Sequence, residues 1–123
     1  MGGRPVQRAV RLLAERADMS EGAIQDEIRL ALSDEPGLVL WRNNVGVAMH
    51  RGSRVVYGLA IGSADLIGCL NGRFVALEIK TPTGRLAPDQ RRWADLVRDR
   101  GGYVATVRSV AEARAAIAEA RRC

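Results

Sequence analysis

The chain has 123 residues, 47% of them hydrophobic and 27% charged, with a net charge of +5. That size fits one domain with its own core, and the composition excludes a disordered polymer. No apolar run approaches the ~18 residues that span a bilayer, and the first residues hold no continuous apolar core of a secretory signal, so the expected location is the cytoplasm, with no membrane partner. Cys69 and Cys123 lie far apart in sequence, in no metal-type spacing, which argues against both a disulfide and a zinc site.

The basic balance favours a polyanionic partner. Of 19 basic residues only one, Lys80, is a lysine. Lysine is a compact point charge where arginine is a planar fork, so its single use marks Lys80 as a position to explain.

Residues 5–17 (PVQRAVRLLAERA) place Val6, Val10 and Leu13 at helical spacing behind Pro5, which predicts an amphipathic helix or basic arm within residues 1–19. Ser20 is a candidate N-cap for a helix over residues 21–33, with Ile24, Ile28 and Ala31 or Leu32 on its apolar face. Asp34-Glu35-Pro36-Gly37 stops it. Residues 38–42 (LVLWR) read as a strand and Asn43-Asn44 with Gly46 as a turn. Residues 45–57 read as a poorly packed hairpin around Arg51-Gly52-Ser53, with Arg51 and Arg54 near its tip. Gly58 to Ser63 is a glycine-punctuated loop that runs into a second hairpin over residues 64–80. After a loop over residues 81–87, Pro88 opens a helix with Asp89 and Gln90 in its first turn, burying Trp93, Leu96 and Val97 and ending at Gly101-Gly102. Residues 103–108 alternate as a strand, and Ser109-x-x-Glu112 is a capping box for a last helix. The order is close to α-α-β-β-β-α-β-α, an α/β or α+β sandwich with a mixed sheet.

The hairpin ADLIGCLNGRFVALEIK raises a question of charge. Asn71-Gly72 between two apolar runs is a strong two-residue turn signal, and such a loop sets the register. Leu70 then faces Arg73, Cys69 faces Phe74, Ile67 faces Ala76, and Asp65 faces Glu78. Two carboxylates so placed have Cβ atoms roughly 5 Å apart and repel. Alternation along the second strand puts Phe74, Ala76, Glu78 and Lys80 on one face and Val75, Leu77 and Ile79 on the other. Asp65, Glu78 and Lys80 therefore share one face at one end of the sheet. A sheet-edge ion pair is one explanation. The other is a hard divalent cation, Mg²⁺ or Mn²⁺, shared by Asp65 and Glu78 with the Ile79 carbonyl as a further oxygen ligand. Lys80 would then orient a water or stabilise charge on a phosphate. On this reading, alanine at Asp65 or Glu78 leaves folding intact or improved.

Asp, a gap of a dozen residues and Glu-x-Lys across a hairpin resemble the core motif of the PD-(D/E)XK nucleases. More of the chain resembles one branch of them, the virus-type replication-repair nuclease (VRR-NUC) domain. The matching runs are Glu21-x-x-Ile24-Gln25, Trp41-Arg42-Asn43-Asn44-x-Gly46 and Gly58-x-x-x-Gly62-x-x-Asp65-Leu66-Ile67-Gly68. They continue with Glu78-Ile79-Lys80-Thr81-Pro82-x-Gly84-Arg85-Leu86-x-x-x-Gln90 and Gly101-Gly102. The resemblance implies an α/β fold, a restriction-endonuclease-like sandwich with a central mixed β-sheet flanked by helices, in one nuclease domain over residues 20–123. It implies Asp65 and Glu78 as metal ligands, Lys80 as the catalytic lysine and Gln90 as support for Lys80 or the water. Glu21 matches the first-helix acid that completes the metal site, with Glu27 on the same helix as the alternative.

Small stand-alone members, many from phages, resemble homodimeric Holliday-junction resolvases. That implies a metal-dependent, structure-selective DNA endonuclease acting on branched DNA. A flap, nicking or restriction-type endonuclease and a non-catalytic DNA-binding module are the alternatives. Arg42, Asn44, Arg51, Arg54, Arg85, Arg91 and Arg92 are the candidate nucleic-acid contacts. Trp41, Trp93 and the N-terminal helix offer apolar surface for a dimer but also fit a core. His50 has no partner pattern for chemistry.

Overall fold

The computed structural model describes residues 19–123; the helix or arm expected over residues 1–19 lies, but for Met19, outside the described residues. Ser20 is the N-cap expected: its Oγ accepts the Ala23 N–H at 3.1 Å, satisfying one donor that a helix start leaves open. Helix α1 (Glu21–Ala31) follows and ends earlier than residue 33, because Ser33 Oγ turns back onto the Leu30 carbonyl at 2.8 Å.

Then come β1 (Leu38–Arg42), β2 (Gly46–His50), β3 (Ser53–Tyr57), β4 (Leu66–Leu70), β5 (Arg73–Ile79), α2 (Pro88–Asp99), β6 (Tyr103–Val107) and α3 (Val110–Arg122). One sheet has the order β1-β4-β5-β6. Its β1–β4 and β4–β5 pairs are antiparallel and its β5–β6 pair is parallel, the last bridged by α2 as parallel pairing requires. Asn71 at φ 48° and Gly72 at φ 88° close the β4–β5 turn and give the register predicted, Leu70 with Arg73 and Ile67 with Ala76. The expected order counted three strands before the Pro88 helix; there are five. The poorly packed hairpin expected over residues 45–57 is present as β2 with β3; it forms a sheet of its own and, among the described residues, touches other elements only marginally.

Alternation along β5 builds a core on each face of the main sheet. Val75, Leu77 and Ile79 meet Ile24 and Ile28 of α1 and Ala113 and Ile117 of α3. Leu77, Ile79, Ile28 and Ile117 are fully buried, and burying such a side chain stabilises the fold by about 2–3 kcal/mol each. On the opposite face Ala76 and Ile67 meet Ala94 of α2 and Val104 of β6, with Trp93 and Val97 alongside. Trp93 stands edge-on to Phe74 with ring centroids 6.3 Å apart. Leu96, expected inside, is half exposed, because two helical positions from Ala94 is nearly the opposite side of α2. Trp41 is exposed on β1, an edge strand that α2 does not reach.

Two glycines seat the loop before β4. A Cβ on Gly58 would strike the Asn44 carbonyl, and one on Gly62 would strike the carbonyl of Asp89. Both have positive φ, 86° and 89°, which glycine adopts without steric cost. The approach to Asp65 is thereby pressed against the first turn of α2, which carries Gln90.

Candidate active site

The polar residues of β5 appear where its two cores end. Glu78 and Lys80 are buried, at 5% and 9% exposure, and with Gln25 they are the buried polar side chains among the described residues. Asp65 stands one step beyond the Leu66–Leu77 pair, opposite Glu78. Its Oδ2 accepts the Ile79 N–H at 2.8 Å, and the Asp65 and Glu78 carboxyls hydrogen-bond to one another. Burial pushes the Glu78 carboxyl up from 4.5 to about 9; the hydrogen bond and the charge of Asp65 push the same way, Lys80 pulls it back, and Glu21 adds a further rise. Two like charges in so small a volume do not both ionise, so without a cation the pair keeps a proton at neutral pH.

Lys80 is fixed at its backbone by the N–H bond to the Val107 carbonyl at 3.1 Å. Its Nζ lies 3.8 Å from Glu21 Oε1, at the start of α1. Of the two candidate acids on that helix, Glu21 is the one beside Lys80; Glu27 lines a cleft with Met19, Pro82, Arg108 and Glu112. Of the two partners that the resemblance implies for Gln90, Lys80 and the water, Lys80 is not the side chain it meets. Its Nε2 donates to Glu78 Oε1 at 3.2 Å while its Oε1 accepts the Ala87 N–H at 2.8 Å. It positions Glu78, not Lys80, because α2 packs on the sheet face toward which Glu78 points, whereas Lys80 lies past the strand end beside α1.

Sequence reasoning missed Asn43, quoted above only as part of a run. Its N–H donates to the Asp65 carbonyl at 2.8 Å, and its Nδ2 donates to Ser63 Oγ at 2.8 Å and the Ala64 carbonyl at 2.9 Å. The available signal was topological: an asparagine directly after a strand whose antiparallel neighbour begins next to Asp65.

The candidate nucleic-acid contacts differ in their partners from four of the other arginines. Arg98 pairs with Asp95, Arg100 with Asp99, and Arg114 and Arg121 with Glu35. Arg42, Arg51, Arg54, Arg85, Arg91 and Arg92 make no ion pair among the described residues, and all are exposed. Arg29 and Arg122 are likewise unpaired there. Asn44 and His50 are exposed, with no chemistry built around them.

Among the described residues no three His, Cys, Asp or Glu side chains gather into a ready metal nest. The Asp65–Glu78 pair still has the donor chemistry of a hard divalent cation: adjacent, mostly buried carboxylate oxygens whose repulsion a cation would relieve.

A mixed sheet with helices on both faces, carrying an acid pair and a lysine at the end of its central hairpin, is the architecture of the restriction-endonuclease-like nucleases. The chain belongs to the VRR-NUC domain family, a family of nucleases, whose profile matches residues 16–111. No curated protein sequence matches it. No helix among the described residues is long and apolar enough to cross a membrane.

Proposed function

We propose that the protein is a divalent-metal-dependent endodeoxyribonuclease that hydrolyses phosphodiester bonds in branched DNA such as Holliday junctions, acting as a homodimer. The observation that carries this reading is the Asp65–Glu78 pair, in which Glu78 is buried against a second carboxyl and held in its protonated form. VRR-NUC nucleases are generally divalent-metal dependent. Asp65, Glu78 and the Ile79 carbonyl are the oxygen donors that would hold Mg²⁺ or Mn²⁺, with Glu21, which lies on Lys80 and is not gathered with the acid pair, as the further donor. When bound, the cation supplies charge against a phosphate oxygen and makes water a competent nucleophile near neutral pH.

The chain's own residues supply orientation and charge. Gln90 holds the Glu78 carboxylate in place, and the Ile79 N–H does the same for Asp65. Lys80 exchanges its half-exposed partner Glu21 at little cost and brings an ammonium to the phosphate as negative charge develops, or holds the attacking water. Arg42, Asn44, Arg51, Arg54, Arg85 and Arg91 take flanking phosphates, a sequence-independent and salt-sensitive grip. Two paired incisions across a near-symmetric junction suit an isologous dimer, and Val39 and Trp41, exposed on edge strand β1, are apolar surface for one.

The test is cleavage of a labelled four-way junction beside linear duplex, flap and single strand, with Mg²⁺, Mn²⁺ or chelator. Symmetric, metal-dependent cuts in the junction are expected, abolished in Glu78→Ala and reduced by at least ~10²-fold in Lys80→Arg, since the bulkier planar fork keeps the charge but displaces it, and losing one preorganised donor at a developing oxyanion costs that much. Cutting confined to other substrates would make the enzyme a flap, nicking or restriction-type nuclease. DNA binding without cutting under any metal would make it a binding module. Glu78 is the better probe than Asp65: the Asp65 carboxylate also accepts the Ile79 N–H, so its loss costs about 1–2 kcal/mol of stability, against the expectation that either alanine is harmless.

A further inference from the structure

The β2–β3 hairpin takes no part in either core of the main sheet. Among the described residues it has at most marginal contact with any helix and joins no other sheet. A lone two-stranded hairpin is marginal in water, so it needs a partner. Along one of its faces the pairs Val47–Val56 and Met49–Arg54 stand side by side. Met49 is 67% exposed and Val56 51%.

Charge identifies the partner. Residues 36–64 contain no Asp or Glu, although the chain has 14 acidic residues, and the same span contains Arg42, Arg51 and Arg54. The turn points the same way. The protein makes two tight turns with matching backbone, Asn71-Gly72 at φ 48° and 88° and Arg51-Gly52 at φ 49° and 78°. The first carries asparagine, which among residues with a side chain best tolerates left-handed backbone. The second carries arginine, a poorer choice for the backbone that sets a guanidinium at the apex. At its other end the hairpin leaves β1 through Asn43, which is bonded to the Asp65 carbonyl, so it springs from beside the acid pair. Five residues per strand give a reach of about 17 Å.

We infer that the β2–β3 hairpin is an arm that engages DNA at a branch point, with Arg51 and Arg54 on phosphates and the Val47–Met49–Val56 face against bases left unstacked there. The inference rests on the nuclease reading and deepens it by naming the element that selects DNA structure. A continuous duplex stacks its base faces out of reach and offers only grooves and phosphates. A junction, flap or nick exposes base faces, and aliphatic side chains gain by covering them. The arm thus prefers interrupted DNA without reading sequence.

Two variants test this by fluorescence anisotropy on a labelled four-way junction and a linear duplex of equal length, with cleavage in Mg²⁺ followed in parallel. Arg51→Asn installs the better turn residue, so the fold is retained. It should weaken binding to both DNAs by roughly 3- to 10-fold at low salt and lower the salt dependence by about one phosphate contact. Met49→Thr with Val56→Thr keeps strand propensity while removing apolar surface, and should cut the junction-over-duplex affinity ratio about fivefold. Wild-type affinity and ratio in both variants, with wild-type cleavage intact, would overturn the arm and leave the nuclease standing. A wild type that neither binds nor cuts DNA would overturn both. Conversion of a dimer to a monomer by the threonine pair, seen by sedimentation, would assign the face to a second copy of the chain and overturn its assignment to DNA.

Discussion

On the proposed function Glu78 answers to two demands that oppose each other. The fold buries it beside Asp65 and so favours the protonated acid, whereas holding a cation requires the carboxylate. An acid whose folded value, about 9, lies above its unfolded value of 4.5 contributes stability that is fully present below pH 4.5 and lost as pH rises toward 9. Chelator-treated protein should therefore lose up to about 1.4 kcal/mol per pH unit from this group across that window, and Glu78→Gln should flatten the slope, as urea titrations at several pH values will show. An unchanged slope in Glu78→Gln would mean that the acid pair is not under strain. The same residue shows what sequence could and could not disclose. Its placement opposite Asp65 followed from the two-residue turn alone. Its bond to Gln90 did not, because that contact depends on how α2 lies across the sheet, and local pattern carries no crossing geometry.

At the scale of elements, the functional end of the sheet is assembled by connections more than by strands. The strand signals in LVLWR, LIGCL and RFVALEI were legible because alternation and turn chemistry are local. That β1 lies against β4 was not legible, since strands with 23 residues between them pair through packing rather than pattern. The consequence falls on Asn43, which ties the end of β1 to the residues before β4 by three hydrogen bonds. Asn43→Ala removes the two side-chain bonds and should destabilise the fold by about 1–2 kcal/mol while lowering kcat more than it raises KM, because Asp65 loses its bearing. Asn43→Asp can still accept but no longer donates to Ser63 and Ala64, and should fare no better. Thermal melts beside steady-state kinetics separate the two effects; a full loss of stability with unchanged kcat in the folded fraction would reduce Asn43 to a loop anchor.

Across the whole molecule, two regions of unlike solidity stand side by side. β5, flanked on both edges by hydrogen-bonded neighbours and on both faces by helices, carries Glu78 and leads directly into Lys80. Among the described residues β2 and β3 pair only with each other. Local opening free energies in proteins run from near zero to the global value, following such differences in support. Amide hydrogen exchange should accordingly find Leu77 and Ile79 protected up to the full unfolding free energy, and Val47 and Val56 exchanging through a far cheaper local event. The two regions could then fail at different temperatures. Gentle warming would melt discrimination before it melts hydrolysis, leaving a chain that still cuts but has stopped choosing where.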